Sequence, residues 1–195
     1  MDKVSYALGL SLGNNLLSSG ITALNVEKFS KGVQDVLEQN QPEISYQEAQ
    51  NVINEYFQNL QAKLSEKTIA EGKAFLEENG KRPEVITLKS GLQYEIIKEG
   101  NGAVPTANNT VNVHYHGTLI DGTVFDSSVR RGEPATFGVT QVITGWVEAL
   151  QLMPVGSKWK LYIPSNLAYG AQGAGQHIGP HTTLVFEVEL LGIEK

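Results

Sequence analysis

The sequence predicts an α+β protein: an all-α N-terminal part ending in a long stalk helix, then a curved antiparallel β-sheet wrapped on one short helix. Three observations carry this. From Glu43 to Arg82 there is no proline and glycine occurs only at 72 and 80, whereas both punctuate the chain from Pro83 onward. Apolar residues before Pro83 recur at three and four, the helical period, and after it they alternate, as strands do. The acidic excess is also one-sided, with 6 basic and 11 acidic side chains in residues 1–80 against 9 and 10 in residues 81–195. Two domains follow, 1–80 and 81–195.

Val4, Leu8, Leu12 and Leu16 stand four apart and predict a first helix over residues 2–19. Gly9 and Gly13 share one side of it, where they weaken the helix but let another backbone come close. Asn25 is placed to cap a second helix, Val26 to Gln39, with Phe29, Val33, Val36 and Leu37 facing inward. Ser45 and Glu48 form a capping box for the third, in which Tyr46, Ala49, Ile53, Tyr56, Phe57, Leu60 and Leu64 recur at three and four. The pattern thins after Leu64 and reaches Asn79, where Gly80 stops the helix. A helix of that length is a rod of roughly 50 Å. Its first half is expected to be packed and its second half to be an exposed stalk.

Beyond Pro83, strands are predicted at 91–97, 110–119, 158–163 and 183–191. Asp121-Gly122 gives a hairpin turn, and a single short helix runs from Trp146 to Leu152 before Pro154. Strands in alternation around one helix give an α+β sheet.

Several function classes drop out on composition. A net charge of −6 is the wrong sign for a nucleic-acid footprint. No cysteine is present, so there is no disulfide, thiol nucleophile or thiolate metal site. No run approaches the ~18 apolar residues of a membrane span, and the first residues lack the build of a signal peptide. The expected compartment is the cytoplasm, or the periplasm if a signal peptide has been removed.

The chemistry-bearing stretches are 111–128 and 142–150. Together they supply Tyr115, Phe125, Val142, Ile143 and Trp146, with one carboxylate, Asp126, directly after an aromatic. A site so apolar suits a greasy substrate in which no bond is broken. A carboxylate among rings needs a hydrogen-bonding or charged partner. The glycine-rich run 170–179 follows no strand-to-helix turn and lacks dinucleotide-loop spacing. His114 and His116 share a strand face and His177 and His181 share a loop, so a four-histidine metal site is an alternative, though no metal or cofactor is expected.

Seven segments resemble, in order, the FKBP-type peptidyl-prolyl cis/trans isomerases: those beginning at Gly91, Val113, Asp121, Val142, Met153, Leu167 and Leu184. The helices before them, residues 70–79 above all, are similar to the N-terminal domain of the macrophage infectivity potentiator subgroup. The resemblance implies that Tyr115, Phe125 and Asp126 form one pocket wall, that Phe137 adds an aromatic edge, and that Trp146 is the floor. It further implies that Val142 and Ile143 flank the bound chain, the Ile143 N–H donating to a substrate carbonyl. Tyr169 would aim its hydroxyl at the substrate backbone, Ile178 and Phe186 would close the far side, and Arg131 would pair with Asp126. Tyr115, Phe125, Asp126 and Tyr169 are thus candidate catalytic residues and Phe137, Val142, Ile143, Trp146, Ile178 and Phe186 candidate substrate-binding ones. Departures from the family pattern fall at Ala135, where an aromatic is common, and at Gln141, Ala174 and His177.

The implied partners are proline-containing polypeptides, macrolide inhibitors of the rapamycin type, and a second copy of the chain. The homodimer would form through residues 1–64 and hold two catalytic domains apart on their stalks. The implied activity is rotation of X–Pro bonds in unfolded or partly folded proteins, with a folding-chaperone role. An FKBP-like binding module with little turnover is the alternative.

Overall fold

The computed structural model describes residues 2–194, and the chain divides into two compact units that meet between Lys63 and Leu64. The first unit holds α1 (Lys3–Ser18), α2 (Val26–Leu37) and the start of α3 (Tyr46–Asn79). Their N-termini are capped by side chains, at Asn25 and Ser45 as predicted and at Asp2, which was not. The Asp2 carboxylate accepts from the Val4 N–H, Asn25 Oδ1 from the Lys28 N–H and Ser45 Oγ from the Glu48 N–H at 3.0, 3.0 and 3.1 Å. Helix α2 stops two residues earlier than expected, at Leu37, and the chain turns through Gln39 in the left-handed region, φ 56°.

The expected inward face of α2 is corrected. Phe29, Val33, Val36 and Leu37 are all exposed, α1 buries no residue, and the one buried residue of α2 is Asp35, held by Lys31 and Asn40. Three short helical stretches have too little interior for stripes of that size.

The second unit is built on an antiparallel sheet of seven strands: β1 (Ile86–Thr87), β2 (Gln93–Lys98), β3 (Thr110–Leu119), β4 (Val124–Ser127), β5 (Ala135–Gly138), β6 (Lys158–Ile163) and β7 (Leu184–Glu194). The order is β1-β2-β6-β7-β3-β4, with β5 pairing the first residues of β3. Along β3 burial alternates, Val111, Val113, Tyr115 and Gly117 turning to the core. On that face the sheet packs against α5 (Thr144–Leu150) through Trp146, Ala149 and Leu150, which join Leu161, Ile163, Val188 and Leu190. The helix is shifted two residues from the predicted 146–152. A further helix of a single turn, α4 (Ser128–Arg131), was not expected, nor were the short strands β1, β4 and β5.

The sheet's other face is covered by the end of α3, and this reverses the expectation for that helix. Its first half carries exposed Ile53, Tyr56, Phe57 and Leu64, while its last turns are packed. Phe75 and Leu76 lie on Val85, Tyr162 and Val185, the Phe75 and Tyr162 rings 5.9 Å apart. Gly72 is buried against Thr183, whose Oγ1 would be 2.4 Å from a Cβ at position 72. The Asn79 amide donates to Gln93 Oε1 at 2.9 Å, and the Gln93 amide donates to the Leu76 carbonyl at 2.9 Å. Arg82 then joins the Asn79 side chain, the Tyr162 hydroxyl, Glu84 and Glu95. Beside Phe75 and Leu76 the contact runs through a glycine and paired amides, so apolar periodicity registers it only sparsely.

Asn79→Ala tests the packing directly. It leaves the buried Gln93 carbonyl without a donor, which is expected to cost about 1–3 kcal/mol in thermal or urea unfolding. A solvated stalk would give a change below about 0.5 kcal/mol.

Candidate functional site

On the α5 side of the sheet a cavity of about 400 Å³ is lined by Tyr115, Phe125, Asp126, Phe137, Gln141, Val142, Ile143, Trp146, Tyr169 and Phe186. Nine of the ten site residues expected from sequence are therefore brought together. The tenth, Ile178, is buried in the adjoining core but is not among the lining residues. Its backbone forms a bridge with Ala174. Gln141 is the lining residue that had no assigned role.

Each wall has a local cause. Trp146, at the first turn of α5, meets three rings edge to face: Phe186 at 5.3 Å and 82°, Tyr115 at 5.5 Å and 81°, Phe137 at 5.9 Å and 88°. Among the described residues its buried Nε1–H has no hydrogen-bond partner. Gly117 of β3 pairs with Asp126 on one side and Phe186 on the other. A Cβ there would come within 2.8 Å of the Phe125 and Phe186 rings, so only glycine lets those two meet at 5.4 Å. The register of β4 slips between Gly117 and Thr118, leaving Phe125 as the extra residue of a β-bulge. Successive strand residues normally point to opposite faces; the bulge is what turns both Phe125 and Asp126 toward the cavity.

Asp126 does not stand free. Tyr115 Oη donates to its Oδ2 at 2.5 Å, Arg131 Nη1 donates to Oδ1, and Arg131 Nη2 donates to Tyr115 Oη at 2.9 Å. Helix α4 creates this closed triangle by turning the chain back so that Arg131 returns to Asp126. Ser127 Oγ caps that helix by accepting from the Arg130 N–H at 3.2 Å, and buried Ser128 Oγ accepts from the Tyr115 N–H at 2.8 Å. These two serines are supporting residues that the sequence reading did not assign; their signal was the Asp-Ser-Ser run at 126–128.

A model of the FKBP-type peptidyl-prolyl cis-trans isomerase domain matches residues 102–191, and a model of the domain amino-terminal to it matches residues 1–96. The chain is 49% identical over 194 residues to the FKBP-type 22 kDa peptidyl-prolyl cis-trans isomerase of Escherichia coli, covering 98% of this chain and 94% of that protein. It is 45% identical over 201 residues to the outer membrane protein MIP of Legionella longbeachae, covering 100% and 86%. This chain belongs to the FKBP-type peptidyl-prolyl cis-trans isomerases. The crystal structure of FkpA from Escherichia coli has the same fold, with a TM-score of 0.81 at 38% identity over 98% of this chain and 95% of that one.

The chemistry available to this FKBP-type isomerase is limited by what lines its cavity. No cysteine, lysine or histidine is present there, and the one carboxylate is engaged. His114 and His116 face away, bonded through Nδ1 to Ser128 and Ser127 at 3.0 Å each, and among the described residues no three His, Cys, Asp or Glu side chains are grouped to hold a metal ion. Partial burial pushes the Asp126 carboxyl up, but the Tyr115 and Arg131 hydrogen bonds and the Arg131 charge outweigh it and hold the group below the usual carboxylate range. Burial pushes the Tyr115 phenol up, and its bond to Asp126 adds to this, so it stays a donor.

The sign of the pH dependence follows. A depressed carboxyl stays ionised above the ordinary value of about 3.9 and loses its tie as pH falls through its own, lower value. Isomerase kcat/KM is expected to be flat from about pH 8 to pH 5, with its acid limb below the ordinary carboxylate range. Arg131→Met removes the cation and is expected to shift that limb to higher pH. An acid limb already centred near pH 6 in the unmodified protein would contradict the triangle's electrostatics.

Proposed function

We propose that this enzyme accelerates X–Pro rotation by taking the proline ring and its amide into a dehydrated aromatic cup that fits the twisted peptide bond. The observation that carries this reading is a cavity of about 400 Å³ whose only charged lining group is already neutralised by Arg131. The X–Pro bond turns over tens of seconds because amide resonance sets a barrier of ~18–20 kcal/mol. Resonance also moves charge onto oxygen, so the planar amide is more polar than the twisted one. Removing water therefore raises the planar form relative to the twisted form, and a shape matched to the latter adds to the effect. A reduction of about 7 kcal/mol corresponds to ~10⁵-fold acceleration. No nucleophile is needed.

In this reading Trp146 is the floor under the proline ring, Phe137 and Phe186 are the sides, and Tyr115, Phe125 and Asp126 form the wall facing the carbonyl. The Ile143 N–H, at the N-cap of α5 and outside its ladder, donates to a carbonyl of the bound chain. Tyr169, exposed at the rim, offers its hydroxyl to the substrate backbone. The isomerase domain is taken to include the last turns of α3 from Leu64, because those turns carry part of its packing. Macrolides of the rapamycin type suit the same apolar cup.

The homodimer interface is read as residues 1–64, the first unit and the residue after it, since the apolar stripes there are exposed on a single chain. Pairing would raise the local concentration of sites along one client chain, which favours a role in folding whole proteins. Among the described residues no helix is long and apolar enough to cross a membrane. A chain without cysteine folds alike in reducing and oxidising surroundings, so the cytoplasm suits it, as does the periplasm if a leader has been removed.

A protease-coupled assay on a short proline peptide tests the cup. Trp146→Leu and Asp126→Ala are each expected to lower kcat/KM about 10- to 100-fold; unchanged turnover in both would leave a binding module. Deleting residues 1–63 is expected to keep peptide isomerisation while slowing proline-limited refolding of a whole protein at least about tenfold. Equal losses on both substrates would contradict that division of labour.

A further inference from the structure

A residue that bears on the isomerase site lies outside the cavity, at the base of the loop that follows Tyr169. Residues 170–181 form a loop that leaves the cavity rim after Tyr169 and leads toward β7. The base of that loop is pinched shut by the His181 N–H donating to the Gly170 carbonyl at 2.7 Å. Further out the loop is tied to itself: the Ala174 N–H donates to the Ile178 carbonyl at 2.8 Å and the Ile178 N–H to the Ala174 carbonyl at 3.2 Å. The Thr182 hydroxyl donates to the Gly179 carbonyl at 2.8 Å. Loops closed at both levels hold their ends in place.

The pinch has a backbone requirement. His181 sits at φ 59°, in the left-handed region, and among the described residues Gln39 is the only other non-glycine with a positive φ. That region is unfavourable for side chains with a Cβ, and His, Asn and Asp tolerate it best. At Gln39 the left-handed residue ends a helix; at His181 it aims an N–H at Gly170. Sparsely populated backbone persists where the surroundings over-determine it, and such positions cluster at sites.

Gly170 directly follows Tyr169, so the bond that closes the loop also fixes the peptide unit after Tyr169. Tyr169 is 39% exposed, and among the described residues its hydroxyl has no hydrogen-bond partner, so its placement depends on its backbone. On the other side, the chain enters β7 at Leu184, three residues past His181, and that strand carries Phe186 into the cavity. His181 thus joins the two legs on which a rim residue and a wall residue are mounted.

We propose that His181 is a positioning residue for the isomerase site: its left-handed backbone, through the bond to the Gly170 carbonyl, sets where Tyr169 stands at the rim. This rests on the reading of Tyr169 as a group that meets the substrate. The backbone conformation is what matters, and the imidazole is present because few other side chains accept it.

The test measures kcat/KM on a short proline peptide for the full chain carrying H181V, H181G, Y169F and H181V with Y169F, alongside thermal unfolding of each. Valine, β-branched, resists the left-handed region, and H181V is expected to lower kcat/KM about tenfold. H181G, which adopts it freely, is expected to recover most of that loss. In the Y169F background H181V is expected to cost less than about twofold more, because the hydroxyl it positions is gone. If Y169F alone matches the parent, both the Tyr169 reading and this one fall. If Y169F is impaired, but H181V is harmless or adds its full loss on top, the positioning role is overturned and the Tyr169 reading stands. Should H181V not fold, H181A takes its place under the same criterion of non-additivity, with a loss of about threefold expected.

Discussion

Three rings meet the Trp146 indole edge to face, and the site depends on that cage. Tyr115, Phe137 and Phe186 come from three different strands, β3, β5 and β7, and each stands within 10° of perpendicular to the indole. Edge-to-face contacts favour the aromatic quadrupoles and cannot be exchanged for flat stacking without moving a strand. Gly117 makes the arrangement possible, because a methyl group there would occupy the space of the Phe125 and Phe186 rings. The aromatic cage is thus mounted on strands and α5, while Gln141, Val142, Ile143 and Tyr169 complete the cup from the connecting segments, and rigid elements favour a preformed site.

The sheet is covered on both faces, and the two covers are chemically different. Helix α5 packs by apolar side chains and brings Trp146 to the cavity, whereas the end of α3 adds to its Phe75 and Leu76 contact a glycine, an amide pair and the Arg82 hub. The first kind of contact tolerates small shifts and the second is directional, since each buried amide needs its partner in place. Helix α3 therefore belongs to both compact units: its exposed apolar first half to the helical unit, its polar-clamped end to the isomerase unit.

Much of this was legible in the sequence, and what was not has physical reasons. The caps at Asn25 and Ser45, the end of α3 at Asn79 and the full extent of β3 followed from local chemistry that operates within a few residues. The cavity residues were found by resemblance, and nine of them line one cavity; Ile178 does not, because its side chain is taken up by the core. The fate of α3 was misread because large apolar residues were taken as the sign of packing. In its first half those residues stay about half exposed, and in its second half the sparse apolar pair Phe75 and Leu76 is joined by Gly72 and Asn79, which carry no hydrophobic signal. Strands β4 and β5 are four residues each, and β4 is bulged, which leaves too little alternation for a period to register. The bulge at Phe125 itself is invisible to pattern reading, yet it allows an aromatic and a carboxylate in consecutive positions to share one cavity.

The Tyr115–Asp126–Arg131 triangle explains how a carboxylate can sit in an apolar cup without serving as a base. Both its oxygens are engaged, and its proton affinity is held low. In the proposed mechanism a group so committed orders the wall and does not exchange protons with substrate. The solvent deuterium isotope effect on kcat/KM for a short proline peptide tests this most directly. Rotation driven by dehydration and fit, with no proton in flight, predicts a ratio within about 10% of unity. A ratio of about two or more would mean that a proton moves in the rate-limiting step, and would contradict the mechanism.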